Sequence, residues 1–110
     1  MVDIETFRNL ALSFPGTMEQ PHFDRAAFKV TGKRIFTTLH ESSQTVNVKL
    51  PIADQPVFCT YEDAGAVYPV PNKFGLQGWT TFELTRVSEE WLAEALHAAY
   101  MEVVEKQVKK

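Results

Sequence analysis

Apolar residues recur at two spacings along this chain, and the spacing assigns most of its elements. Ile4, Phe7, Leu10 and Ala11 share one face at helical spacing, with Asp3 placed to cap the first turn. Phe14-Pro15-Gly16 ends that helix, because proline disfavours helical geometry in the residue before it and glycine frees the turn. Thr17 to Asp24, which contains Gln20-Pro21-His22-Phe23, is expected to be an irregular connector. From Arg25 the period becomes two: Ala26, Phe28 and Val30 point inward, Ala27 and Lys29 outward. Thr31-Gly32-Lys33 makes a tight turn, and Arg34 to Leu39 returns as the second strand of a hairpin. After the polar turn His40 to Gln44, Thr45 to Leu50 forms a third strand with Val46, Val48 and Leu50 on one face.

Pro51 ends that strand, and a short helix is expected within Ile52 to Thr60, with Pro56 in its first turn. Beyond the loop Glu62-Asp63-Ala64-Gly65 comes the densest stretch of the chain, Tyr68 to Leu84. It holds Tyr68, Phe74, Trp79 and Phe82 between backbone-restricting prolines and permissive glycines, which suits a shaped surface. Within it, Gly75-Leu76-Gln77-Gly78 is expected to be a flexible loop. From Gly78 onward the alternation is that of a strand, Thr80, Phe82 and Leu84 on one side and Trp79, Thr81 and Glu83 on the other. Ser88 caps a last helix, with Glu89 and Glu90 in its first turn. The pairs Trp91/Leu92, Ala95/Leu96, Ala99/Tyr100 and Val103/Val104 give that helix a broad apolar stripe. Lys106, Lys109 and Lys110 suit the negative end of its dipole. The element order predicts one α+β domain over residues 1–110, an antiparallel sheet with the N- and C-terminal helices packed on one face.

Bulk composition changes this picture little. A chain of 110 residues, 45% hydrophobic and 23% charged, suits one globular core. No apolar run is long enough to cross a membrane and no leader precedes one, so a cytoplasmic protein is expected. The single Cys59 cannot form an internal disulfide, which fits a reducing compartment. His22, His40 and His97 lack the close His/Cys spacing of a zinc site, so no metal or other cofactor is expected. Cys59 sits among apolar neighbours without a catalytic signature, no phosphate loop or nucleophile elbow is present, and the expectation is a protein that is not an enzyme.

Charge is distributed more tellingly than its total of −3 suggests. Arg8 against Asp3, Glu5, Glu19 and Asp24 leaves residues 1–24 at −3. Arg25, Lys29, Lys33, Arg34 and Lys49 against Glu41 leave residues 25–50 at +4. Five basic and nine acidic side chains leave residues 51–110 at −4. Alternation turns Lys29 and Lys49 away from the helices, and Lys33 and Arg34 occupy the hairpin tip. Such a face can meet phosphates, with Asn72, Lys73 and Trp79 nearby as polar and stacking groups. Outward lysines also serve solubility and edge protection, and a tryptophan that begins a strand also packs under a neighbouring loop. The alternative reading is a non-enzymatic protein- or small-ligand-binding module that uses the Tyr68–Trp79 loop as a pocket wall.

The chain resembles the MmcQ/YjbR-like proteins, whose fold is related to CyaY/frataxin. Carrying the resemblance are Pro21-His22-Phe23, Phe28-Lys29-Val30 with Gly32-Lys33, Val46-Asn47-Val48-Lys49-Leu50-Pro51, Tyr68-Pro69, Asn72-Lys73 before Trp79-Thr80-Thr81, and Ala99-Tyr100. The resemblance implies an α+β domain whose hairpins have been likened to a "double wing" DNA-binding arrangement. By position, its wing candidates are Lys29, Lys33, Arg34, Lys49, Asn72, Lys73 and Trp79. The chain ends at Val108-Lys109-Lys110, where related chains often continue. Iron binding of the frataxin kind carries over poorly, since the first helix offers only Asp3 and Glu5. The partner expected is DNA, bound weakly and sensitive to salt.

Overall fold

A computed structural model describes the backbone of residues 1–108 and the side chains of residues 1–105. Helix α1 (Ile4–Leu12) is followed by β1 (Thr17–His22), β2 (Arg25–Val30), β3 (Ile35–His40) and β4 (Thr45–Lys49). A short helix α2 (Gln55–Phe58), strand β5 (Val67–Pro69), a single helical turn α3 (Lys73–Leu76), strand β6 (Trp79–Glu83) and helix α4 (Glu89–Val108) complete the chain. The strands form one antiparallel sheet in the order β1-β2-β3-β4-β6-β5. This is the α+β architecture that the alternating and helical periods predict. The side chains of Lys106, Lys109 and Lys110, assigned to the dipole of α4, lie outside the described residues.

Both terminal helices lie on the inward face. Asp3 Oδ1 accepts from the Thr6 amide at 2.7 Å and starts α1, which buries Phe7 and Ala11. Phe7 meets Phe28 edge-on at 5.5 Å between ring centroids, a contact of about 1 kcal/mol beyond the area that it buries. Ser88 Oγ accepts from the Trp91 amide at the start of α4. The four-residue repeat behind it places Leu92, Ala95, Leu96, Ala99 and Val103 in the core. They pack over Phe36, Leu39, Val46, Val48 and Phe82, so one apolar layer joins helices and sheet.

Thr17 to His22 is a strand rather than a connector. Its polar sequence is tolerated because β1 is an edge strand, where Pro21 need not donate to a second neighbour. Glu19 is stabilised by Arg8, whose Nη2 lies 3.0 Å from it and 2.7 Å from Glu41. In β3 the register shifts opposite the Phe28/Lys29 step: Thr37 pairs with Phe28 and Ile35 with Lys29, which leaves Phe36 as a bulge. Both Phe36 and Thr37 are fully buried as a result.

The stretch Gly75 to Gly78 is not slack either. A Cβ on Gly75 would lie 2.0 Å from the Val70 carbonyl oxygen, and one on Gly78 2.0 Å from that of Leu50. These two contacts press the chain from Val70 to Trp79 tightly against its neighbours. Of the helix expected within Ile52 to Thr60, only Gln55–Phe58 forms, with Pro56 in its first turn.

Candidate functional site

The sheet face turned away from α1 and α4 has a floor of small side chains. Strand register sets Gln20, Ala27, Thr38, Asn47, Thr81 and Tyr68 in one row across all six strands. Ala27 is completely buried and Thr38 and Thr81 nearly so, although they face away from the helices. The floor is walled at one end by His22 and Arg25, where β1 meets β2, and at the other by Val70, Phe74 and Trp79. These residues, with Thr38 and Asn47, enclose a cleft of about 220 Å³.

Three features shape the chemistry of this cleft. Its lining contains no carboxylate. Asn47 Oδ1 accepts from Thr81 Oγ1 at 2.7 Å, and the Asn47 amide nitrogen makes no bond among the described residues. Arg25 Nη1 is enclosed without a hydrogen-bond partner, one of two such side-chain atoms among the described residues, the other being Thr17 Oγ1. The acids nearest in sequence are engaged elsewhere. Asp24 Oδ2 lies 3.2 Å from His40 Nε2, and Glu83 accepts from the Tyr68 hydroxyl at 3.1 Å and pairs with Arg86. Burial, and then the bond to Glu83, pushes the Tyr68 hydroxyl above its ordinary range, which keeps it a proton donor.

Gln55 supports the far wall. Its Nε2 donates to the Gly75 carbonyl at 3.0 Å, to Thr80 Oγ1 at 3.0 Å and to the Trp79 carbonyl at 3.3 Å. Asn72 caps α3 by accepting from the Phe74 amide at 2.9 Å, which fixes where that turn starts. Both polar residues hold the wall in shape, and neither lines the cleft.

The residues predicted from the sequence are spread over this face and its margins. Lys29 alternates outward on β2 and is half-buried. Lys33 and Arg34 occupy the β2–β3 turn, where Gly32 at φ +77° supplies the left-handed step. Lys73 is exposed on α3. Trp79 lines the cleft and also, with Arg34 and Lys49, a recess of about 150 Å³. That recess includes Glu102, and Lys49 Nζ lies 3.3 Å from Glu102 Oε1 with only 14% of its side chain exposed. Lys49 is therefore neutralised by α4 rather than offered to a ligand.

Sequence reasoning missed Arg25, His22, Thr38 and Asn47 as cleft residues. Arg25 lay within the basic segment and Asn47 on the outward side of its strand, so alternation alone could have nominated both. The remaining cations separate from the carboxylates. Arg25, Lys29, Lys33, Arg34 and Lys73 form no ion pair among the described residues, while Glu5 on α1 and Glu89, Glu90 and Glu94 on α4 are exposed on the helical side. No group of three or more metal-ligating side chains occurs among the described residues. No helix among them is long and apolar enough to cross a membrane.

A two-layer α+β domain, with helices on one face and a walled, acid-free cleft on the other, is the class that fold and site define. The chain matches the YjbR family over residues 12–102 and belongs to it. It is similar to the crystal structure of Deinococcus radiodurans protein DR2400, which contains a DUF419 domain, with a TM-score of 0.80 at 20% identity. That match spans 97% of this chain and 82% of the other. A protein from Pseudomonas syringae matches with a TM-score of 0.66 at 11% identity, over 93% of this chain and 99% of the other. Both likenesses are of fold. No curated protein matches the chain.

Proposed function

We propose that the domain is a nucleic-acid-binding protein that contacts DNA phosphates through the open sheet face and the β2–β3 turn, in the double-wing manner that the family resemblance implies. The observation that carries this reading is the separation of charge. Five cations on or beside the open face form no ion pair among the described residues, while the exposed carboxylates Glu5, Glu89, Glu90 and Glu94 lie on the helices. A chain with a net charge of −3 can meet a polyanion only if its acids are kept away from the contact surface. The reading is of a binding protein without a catalytic step, working in the cytoplasm.

A fluorescence-anisotropy titration of labelled duplex DNA at low ionic strength tests it. Binding at micromolar protein is expected, with log K falling against log salt at a slope of about −4 if four or five phosphates are contacted. Lys29→Glu and Arg34→Glu should each weaken binding. Lys49→Gln should change it little, since Lys49 is already paired with Glu102. No complex at tens of micromolar protein would end the proposal.

A second reading, a small-ligand-binding module walled by the Tyr68–Trp79 loop, is favoured by the cleft itself. It expects Trp79→Ala to abolish binding and Lys29→Glu to leave it intact, the reverse of a purely phosphate-driven surface.

A further inference from the structure

The cleft asks for more than a row of surface cations would. An enclosed guanidinium nitrogen without a partner carries a desolvation cost that an acceptor oxygen would remove, most effectively an anionic one. Asn47, whose carbonyl oxygen already accepts from Thr81, has both of its amide N–H groups unused among the described residues. Thr38 adds a hydroxyl to the floor. Arg25, Asn47 and Thr38 therefore offer donors in a cleft whose own lining has no carboxylate, although Arg25 also borders a second recess that holds Glu19, Asp24 and Glu41. The rest of the wall is aromatic: Trp79, Phe74 and His22. Phe74 is half exposed, as a ring awaiting a partner would be. At about 220 Å³ the cleft lies below the usual 300–1,000 Å³ of sites for drug-sized ligands, so it is too small to take more than one nucleotide unit.

We propose that this cleft binds one nucleotide unit, its base against Trp79 and Phe74 and its phosphate oxygens on the Arg25 guanidinium and the Asn47 amide. The inference deepens the nucleic-acid reading, because it assigns the open face a place for an unstacked nucleotide beside the phosphate-tracking lysines. Base stacking on an aromatic side chain tolerates sequence, whereas the donors select for phosphate. An unstacked nucleotide within a strand and a free mononucleotide present the same chemistry.

The test uses the two tryptophans. Trp91 is packed against Phe58 and Tyr61 and donates to the Phe58 carbonyl, so it sits apart from the cleft. In Trp91→Phe, quenching on titration with AMP, GMP, CMP or TMP reports Trp79 alone. Calorimetry on the unaltered chain gives the same affinity without that substitution. Expected are saturable binding of the monophosphates, binding of the matching nucleosides weaker by roughly tenfold or more, and a loss of similar size in Arg25→Gln. A short single-stranded oligonucleotide that binds well above any mononucleotide identifies a strand as the source, and equal affinities identify a free nucleotide. Either supports the site. No saturable signal with any monophosphate by either method, or Arg25→Gln binding as tightly as the unaltered chain, overturns it. Duplex binding through Lys29 and Arg34 would survive that result, so the two proposals fail separately.

Discussion

Replacing Gln55 should expose how the far wall of the cleft is held. Its amide nitrogen carries two hydrogens and serves three oxygens, the carbonyls of Gly75 and Trp79 and the hydroxyl of Thr80. Thr80 Oγ1 spends its own hydrogen on the Gly78 carbonyl, so toward Gln55 it can only accept. Gln55→Ala removes both donors at once. At about 1 kcal/mol net per bond, with a further cost for acceptors left unsatisfied, stability should fall by about 2–3 kcal/mol. For a domain of this size that is a drop of about 10 °C or more in Tm. Gln55→Glu is the sharper variant, because a carboxylate can only accept and would face three acceptors. Its proton would be held more tightly in the folded chain than in the unfolded one, so its folded pKa should rise above the ordinary value of about 4.3. The sign follows: the folded state binds more protons, and the variant is most stable below the unfolded pKa. Relative to the unaltered chain it should lose stability as pH climbs through that window toward the raised folded value. Urea unfolding of both variants across the acid-to-neutral range measures these effects. A loss below about 0.5 kcal/mol for Gln55→Ala, or a flat difference curve for Gln55→Glu, would refute the account of the wall.

Three further outcomes follow. Phe23 is 96% exposed and sits at φ +60° in the two-residue β1–β2 turn, where a bulky side chain is strained by about 1–3 kcal/mol. Phe23→Gly relieves that strain against roughly 0.5–1 kcal/mol of added chain entropy, so thermal unfolding should show a net gain of about 1 kcal/mol, and a loss would contradict it. Burial pushes the Cys59 thiol above its ordinary value, so at mildly alkaline pH iodoacetamide should label it more slowly than a free cysteine; equal rates would show the thiol to be unshielded. The Thr6 amide bond holds the Asp3 carboxyl below its ordinary range, so the cap stabilises α1 above pH 3.8 and is lost as pH falls through the lowered folded value. Asp3→Ala should remove that component of acid unfolding, and an unchanged acid limb would speak against the cap.

What the sequence discloses of this fold depends on whether an element's reason for existing is local. Helix α4 repeats its apolar pairs every four residues and strand β4 alternates cleanly, so each announces itself within a short window. Strand β1 does not. Thr-Met-Glu-Gln-Pro-His has the composition of a loop, and it is a strand because Arg8 reaches Glu19 and because an edge position tolerates proline. The turn α3 is similarly silent. Gly75 and Gly78 read as freedom, but the carbonyls of Val70 and Leu50 occupy the space where a side chain would stand, and that closeness makes the wall rigid.

The same division governs the site. Alternation alone sends Lys29 and Lys49 to the same face, and local reasoning cannot separate them. Their roles diverge because Glu102, fifty-three residues further on, lies within reach of one and not the other. Arg25 shows the converse. Asp24, its immediate neighbour, would be the natural counter-ion on paper, yet Asp24 lies against His40, and Arg25 forms no ion pair among the described residues although it also lines a recess with Glu19, Asp24 and Glu41. A cation becomes available to a ligand when every carboxylate that could neutralise it has a better partner. That condition is set by the whole packing of the domain, so cation content along a sequence locates a candidate surface but not the residue on it that a ligand would meet first.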